Sequence, residues 1–197
     1  MNSLTEQRLI DLTRRSYTEH GRDFSDTRLR LQPGVTRLVD KLDKDHTILD
    51  LGCGNGELAR TLSQRGHQGS YTGLDFSLPL LSEAQRIAFT FPVNFLQADL
   101  TSPDWASVLS KTQFDLVFAF AVFHHIPGSD LRLLIMEKVH ELLDQGGHFI
   151  HYNWQFLDNP RLKARLQPWE LIGLKPQDVD PNDYLLDWKR GSKGLRY

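Results

Sequence analysis

The residues best placed to do chemistry lie in one run, Ile48-Leu49-Asp50-Leu51-Gly52-Cys53-Gly54-Asn55-Gly56-Glu57. An apolar strand pattern gives way to glycine at alternate positions, and a helical pattern follows. Glycine tolerates φ > 0 and lets a ligand approach the backbone closely, so this turn is where an α/β sheet makes room for a nucleoside. Asp75 ends the next strand pattern, Tyr71-Thr72-Gly73-Leu74-Asp75. It follows at roughly the 20-residue spacing that lets a carboxylate reach ribose hydroxyls. The glycines read G-x-G-x-G, whereas a dinucleotide turn reads G-x-G-x-x-G and brings a helix N-terminus to a pyrophosphate. The spacing therefore points to an adenosine ligand lacking a diphosphate, S-adenosylmethionine foremost, and away from NAD-dependent dehydrogenases and epimerases.

The other candidates are histidines and a cysteine. His124 follows an apolar strand pattern at 114–120, at the C-terminal edge of a sheet, where a base or an acceptor-orienting group would sit. The alternative is that it packs structurally. His125 is expected to point away and support the loop. His148 and His151, three apart on a strand, face opposite sides and cannot share an ion, so no metal site is expected. Cys53 is the chain's only cysteine, which excludes an internal disulfide and suits a reducing compartment. It reads as a small apolar filler beneath the glycine turn, with a reactive thiol as the alternative. No serine or cysteine nucleophile arrangement stands out.

The elements that must position these groups alternate. Strands are predicted at 47–51, 70–75, 93–97, 114–120 and 147–154, and helices at 56–65, 78–90, 103–110 and 130–143. Such alternation implies a parallel sheet with helices on both faces and right-handed crossovers. Ser77 and Ser129 are the expected N-caps, Gly66 and Gly146 the expected stops. Ahead of the first strand, Ser3 with Glu6 predicts a capped helix ending at Gly21. Val35, Leu38, Val39 and Leu42 mark a second helix. After Phe156 the regular pattern fades among Pro160, Pro168, Pro176 and Pro181.

The bulk numbers describe an ordinary soluble domain. A chain of 197 residues, 40% apolar and 24% charged, suits one domain with a sizeable core. The net charge of −2 carries no general nucleic-acid or membrane signature. The longest apolar run, 116–123, falls far short of the ~20 residues that span a bilayer. The N-terminus lacks the apolar core of a secretory signal. The expectation is a cytoplasmic protein with no membrane or DNA partner.

The run from Asp50 to Gly56 resembles the first motif of class I S-adenosylmethionine-dependent methyltransferases. Asp99-Leu100 after the third strand, the apolar strand leading to His124-His125, and Gly146-Gly147 before the fifth strand are similar to that family in the same order. The resemblance implies a Rossmann-like class I methyltransferase fold with a mostly parallel sheet. It also implies S-adenosyl-L-methionine as cofactor and S-adenosyl-L-homocysteine as product. Under it, Asp50 orients the loop and receives the methionine ammonium, while Gly52, Cys53, Gly54, Asn55 and Gly56 shape the approach. Asp75 takes the ribose diol, Phe76 lies on the adenine, and Asp99 with Leu100 receives the adenine amino group. Ala119 and Phe120 offer carbonyls to the ammonium, and His124 contacts the acceptor or serves as base. Arg28 would pair with the methionine carboxylate, and Tyr17 would close over the same group.

Residues 1–197 are thus expected to form a single methyltransferase domain: an N-terminal helical lid at 1–45, a cofactor-binding core at 46–156 and a substrate-side tail at 157–197. The family closes its sheet with an antiparallel strand pair beside the fifth strand, and no such pair is evident before Tyr197. A shortened chain would explain this. Otherwise the tail or another subunit must cover that edge, the latter giving a dimer through it.

Tyr17, Phe24-Ser25-Asp26-Thr27-Arg28, Val122-Phe123-His124-His125 and the stretch from Asp187-Trp188 to Arg196-Tyr197 resemble tRNA methyltransferases that esterify carboxymethyl-uridine at the wobble position. The tail interleaves Trp154, Trp169, Tyr184, Trp188 and Tyr197 with Lys189, Arg190, Lys193 and Arg196. Such residues could stack bases and bind phosphates, or form a cap over a small-molecule pocket with solvated cations. Three readings stay open: a methyltransferase acting on tRNA or another RNA, one acting on a small metabolite, and a non-catalytic S-adenosylmethionine-binding module. A carboxylate acceptor needs no general base, whereas an amine or hydroxyl does.

Overall fold

The structure is a computed structural model that describes residues 1–25, 31–188 and 194–197. Its five-stranded sheet comprises β1 (Thr47–Leu51), β2 (Ser70–Asp75), β3 (Val93–Gln97), β4 (Phe114–Phe120) and β5 (Leu143–Tyr152), in the order β3-β2-β1-β4-β5. Every neighbouring pair is parallel. The chain runs outward from β1 through β2 to β3, then returns to β4 on the other side of β1. That reversal opens a crevice at the C-terminal ends of β1 and β4, where open α/β sheets bind ligands.

Alternate residues of the central strands face opposite layers, so both faces need cover. Ile48, Tyr71 and Phe118 pack against α2 (Pro33–Val39), α3 (Glu57–Gln64) and α4 (Leu78–Ala84) through Val35, Leu58, Leu62 and Leu81. Leu49, Leu51, Leu74 and Val117 pack on the other face against Trp105 and α5 (Ser129–Leu142), which contributes Ile135 and Val139. Strands apolar on both faces are what a buried parallel sheet demands.

α1 (Ser3–Ser25) buries Thr5, Leu9, Ile10, Thr13 and Ser16 on one face. It continues through Gly21, the expected stop. An internal glycine costs about 1 kcal/mol relative to alanine, a penalty that burial of this face offsets. The cap is Asn2 rather than Ser3, since Asn2 Oδ1 accepts the Thr5 N–H at 2.8 Å. Glu6, the expected capping partner, packs instead at Gly128, where an added Cβ would lie 2.2 Å from its carboxylate. Gly128, with φ 78°, therefore occupies the cap position of α5 that Ser129 was expected to fill. Ser77 does precede α4, without a side-chain capping bond.

Three predicted elements change length. The helix expected at 78–90 ends at Ala84, because Phe89 and Phe91 turn in to the core. The helix expected at 103–110 shrinks to one tight turn, Trp105–Val108, around the buried Trp105. β5 starts at Leu143 rather than 147: Leu143 pairs with Phe114, and a bulge containing Gly146 (φ 82°) restores the register at Leu116 and His148.

The tail is more ordered than its sequence pattern suggests. After α6 (Pro160–Lys163), β6 (Leu166–Gln167), β7 (Leu185–Trp188) and β8 (Gly194–Arg196) form a second, antiparallel sheet in the order β6-β7-β8. Strands this short carry too few residues for alternation to show. The small sheet does not extend the main one, in which β5 is the edge strand among the described residues. Its core joins Trp169, Leu174, Leu185 and Tyr197 to Leu9 of α1, so the two ends of the chain pack together as a cap. No described helix is long and apolar enough to cross a membrane.

Leu9 is fully buried in that junction. Leu9→Ala is expected to lower the unfolding free energy by about 2–5 kcal/mol, read as a drop in the urea midpoint with the slope unchanged.

Candidate functional site

The glycine turn closes onto the neighbouring strand. The Gly52 and Cys53 N–H groups both donate to the Leu74 carbonyl, at 2.7 and 2.9 Å. Gly52 has φ 71°, and an added Cβ would lie 2.5 Å from Val122 Cγ2, so position 52 admits neither another backbone conformation nor a side chain. Gly54 donates its N–H to Asp75 Oδ2 at 2.9 Å, and Ser77 donates to Oδ1 at 2.8 Å. Burial raises the Asp75 carboxyl above its ordinary range, while the N–H groups of Ser77 and Gly54 oppose that rise. The Phe76 N–H also acts on this carboxylate, so three backbone groups share its roughly four acceptor sites and little capacity beyond one site remains for a ligand.

Asp50, at the end of β1, is 4% exposed and accepts the Tyr71 hydroxyl at 2.5 Å. Burial pushes its carboxyl up to about 7, against the effect of the Tyr71 hydrogen bond and with a smaller push from Asp75. Burial, then Asp75 and Asp50, raise the Cys53 thiol, so the cysteine stays neutral and acts as filler. Beyond β3, Asp99 Oδ1 accepts both the N–H and the hydroxyl of Thr101, at 2.9 and 2.6 Å. Its Oδ2 accepts Arg14 Nε at 2.6 Å, leaving one acceptor site on that oxygen among the described residues.

These groups surround one cavity of about 650 Å³. Of the residues singled out from the sequence, Tyr17, Asp50, Gly52, Cys53, Gly54, Asn55, Asp75, Phe76, Asp99, Leu100 and Phe120 line it. Gly56, Ala119 and His124 do not. Gly56 caps α3 with φ 77°, its α-carbon facing Ala84 and Phe95. Ala119 is fully buried in the sheet, and the wall at the end of β4 is made by Phe120, Ala121 and Val122. Ala121 takes the unusual φ of 60° for a non-glycine residue, with its N–H held by the Tyr152 carbonyl. Arg28 lies outside the described residues.

The histidine expectations reverse. His125, expected to point away, is on the cavity wall, whereas His124 stacks on Trp154 with ring centroids 5.3 Å apart and sits 3.4 Å from Asn153 Oδ1. The tight turn Phe123–His125 rotates successive side chains to different sides, which strand reasoning could not anticipate. His125 Nδ1 lies 2.9 Å from the Tyr197 carbonyl and Nε2 lies 2.9 Å from the Tyr17 hydroxyl. The Tyr197 backbone oxygen only accepts, so Nδ1 carries a proton and donates to it. Both ring nitrogens are thus engaged in tying α1 and the tail to β4.

Sequence reasoning missed Arg14 and Arg165 on the wall, while Trp154 and Arg196 are among the tail aromatics and cations it set out as a base-binding surface or a cap over a small-molecule pocket. Arg14 precedes Tyr17 by three positions on α1, a spacing that shares one helix face and could have flagged it. Arg165 immediately precedes β6, a strand of two residues too short to leave a local signal. Among the described residues, no cluster of histidine, cysteine or acidic side chains could hold a metal ion.

A glycine turn at the switch point of a parallel sheet, with acids ending the two strands beside it, defines a nucleoside-binding α/β protein of Rossmann-like architecture. The methyltransferase domain family matches residues 49–149, half of the chain, and the protein belongs to this family, the class I S-adenosylmethionine-dependent methyltransferases. A methyltransferase-named protein of Encephalitozoon cuniculi is 28% identical over 93% of this chain and 77% of its own length. The trans-aconitate 2-methyltransferase of Rhodopseudomonas palustris is 31% identical over 74% of this chain, which spans only 55% of that protein. A TehB-like SAM-dependent methyltransferase from Corynebacterium glutamicum shares the fold, with TM-score 0.53 and 23% identity over 92% of this chain and 94% of that one.

The displaced carboxyl of Asp50 makes stability depend on pH. In an unfolded chain an aspartate titrates near about 3.9; in the fold Asp50 holds its proton up to about 7. Between those values the folded state binds a proton that the unfolded state has lost, so its contribution to stability falls as pH rises and is fully lost above the folded value. Asp50→Asn is expected to abolish that fall in the ligand-free protein. The variant's melting temperature should gain on the parent's through this window and keep a constant lead above it.

Proposed function

We propose that the protein holds S-adenosylmethionine in this crevice and transfers its methyl group to a small-molecule acceptor. Bound there, S-adenosylmethionine supplies an electrophilic methyl on a sulfonium. The donor set suits that ligand. The acceptor capacity left on Asp75 matches a ribose hydroxyl, the remaining site on Asp99 Oδ2 matches an amino group, and Phe76 offers a ring face beside them. Asp50 faces the cavity from the strand end where the methionine ammonium would lie. The chain's own contribution is alignment and exclusion of water, since holding two reactants in line can supply ~7–11 kcal/mol.

The observation that carries the acceptor assignment is the shape of the site. The cavity of about 650 Å³ is lined by the glycine turn together with Tyr152, Trp154, Arg165 and Arg196. Small-molecule sites typically measure ~300–1,000 Å³ and bury most of their ligand. The similarity to trans-aconitate 2-methyltransferases points in the same direction.

Asp75→Ala is expected to weaken S-adenosylhomocysteine binding by about one to two orders of magnitude in calorimetry, as loss of a charged hydrogen-bond acceptor worth ~1.5–3 kcal/mol implies. With methyl-labelled cofactor, label should enter the small-molecule fraction of a cell extract. Entry only into RNA would overturn the acceptor assignment, and absence of cofactor binding would overturn the whole reading.

A further inference from the structure

We infer that Tyr71 is a positioning residue for the cofactor, its buried hydroxyl holding one oxygen of Asp50 so that the other meets the methionine ammonium as a carboxylate. This rests on the cofactor reading above and adds a residue that lies behind the site rather than in it. In the parallel pair of β1 and β2, Ile48 is opposite Tyr71 and Asp50 is opposite Gly73. Residues two apart on a strand share a face, so Tyr71 and Asp50 enter the same layer and meet diagonally. Gly73 adds no side chain beside them. Cys53 Sγ and Phe95 Cδ1 close in there, 2.8 and 2.9 Å from where a Cβ would stand.

The Tyr71 ring is 1% exposed and meets Phe95 edge-on, with centroids 5.9 Å apart. Its hydroxyl donates to Asp50 Oδ2 at 2.5 Å, whereas Oδ1 accepts no hydrogen bond among the described residues. Asp50 is on the cavity wall and Tyr71 is not. The phenol therefore determines which carboxylate oxygen is left for the crevice.

The surroundings of Asp50 give that hydrogen bond a second consequence. Phe118 of β4 is opposite Asp50, β2 contributes Tyr71 and Asp75, and the turn contributes the neutral Cys53 thiol. Among the described residues Asp50 has no ion-pair partner. Burial raises its carboxyl to about 7, Tyr71 opposes that rise, and Asp75 adds to it. An ammonium pairs with the ionised acid, so below that value cofactor binding expels a proton from Asp50 to solvent. Without the phenol the acid keeps its proton to higher pH, and the expulsion becomes harder.

The test is calorimetry of S-adenosylhomocysteine binding across the neutral pH range. Parent affinity should rise with pH and level off above about 7, where Asp50 is ionised. Tyr71→Phe keeps the ring and removes the hydrogen bond. Its rise should move up by about one pH unit, with binding about tenfold weaker on the rising limb and close to the parent's on the plateau. The other titratable wall groups near the glycine turn and β4, Asp75, Asp99 and His125, are the same in both proteins, as is the ligand's ammonium. In Asp50→Asn, where nothing is left to ionise, adding Tyr71→Phe should weaken binding no further. Should the phenylalanine variant fold poorly, the parent alone decides. In buffers of unlike ionisation enthalpy, its binding should release a proton below about 7 and cease to do so above.

A pH profile unmoved by Tyr71→Phe, even with a lowered melting temperature, would overturn the inference. An equal loss of affinity in the Asp50→Asn background, or no proton release by the parent, would do the same. In each of those results S-adenosylhomocysteine still binds and the cofactor reading stands. No binding by the parent at any pH marks failure of that reading instead.

Discussion

The site depends on a short knot of backbone hydrogen bonds between the end of β2 and the turn after β1. The Leu74 carbonyl holds the N–H groups of Gly52 and Cys53, and the next side chain, Asp75, holds the N–H groups of Gly54 and Ser77. Four backbone donors are thereby satisfied by two consecutive residues of one strand. Because the sheet reverses its order beside this knot, the turn meets no neighbouring strand above it, and the crevice stays open. Glycine at position 52 lets the knot tie, since Val122 already fills the space a side chain would need.

Burial then sets the electrostatics. Asp50 and Asp75 lie almost wholly out of water, so desolvation raises both carboxyls, and the hydrogen bonds from Tyr71, Ser77 and Gly54 only partly counter it. Holding two such acids unfilled is unfavourable for the ligand-free fold. A ligand carrying hydroxyls and an ammonium, as proposed for this crevice, would relieve that and so couple its occupation to stability. The cap and α1 meet around Leu9, Trp169 and Tyr197 in a separate apolar core.

The cap links α1 and the tail to the cavity. His125 joins Tyr17 of α1 to the carbonyl of Tyr197, and Arg14 joins α1 to Asp99. The wall of the cavity opposite the glycine turn therefore comes from segments far from it in sequence. Family membership and fold rest on the 49–149 core, whereas the proposed acceptor specificity rests on what the cap adds to it.

The glycine turn, the acids at 50, 75 and 99, and the five strands were legible from residues alone. Each is a local pattern: a strand alternation, a breaker, or a carboxylate at a strand end. Helix ends were less so, because Asn2 and Gly128 cap where Ser3 and Ser129 looked suitable, and Phe89, Phe91 and Trp105 end helices by turning inward. Tertiary structure alone decided that His125 and not His124 faces the cavity, that Ala119 stays in the sheet, and that Arg14, Arg165 and Arg196 join the wall. Those outcomes depend on side-chain rotation in a single tight turn and on pairings between strands two to four residues long. Neither leaves a periodic trace in sequence, because the energy that fixes them comes from partners distant along the chain.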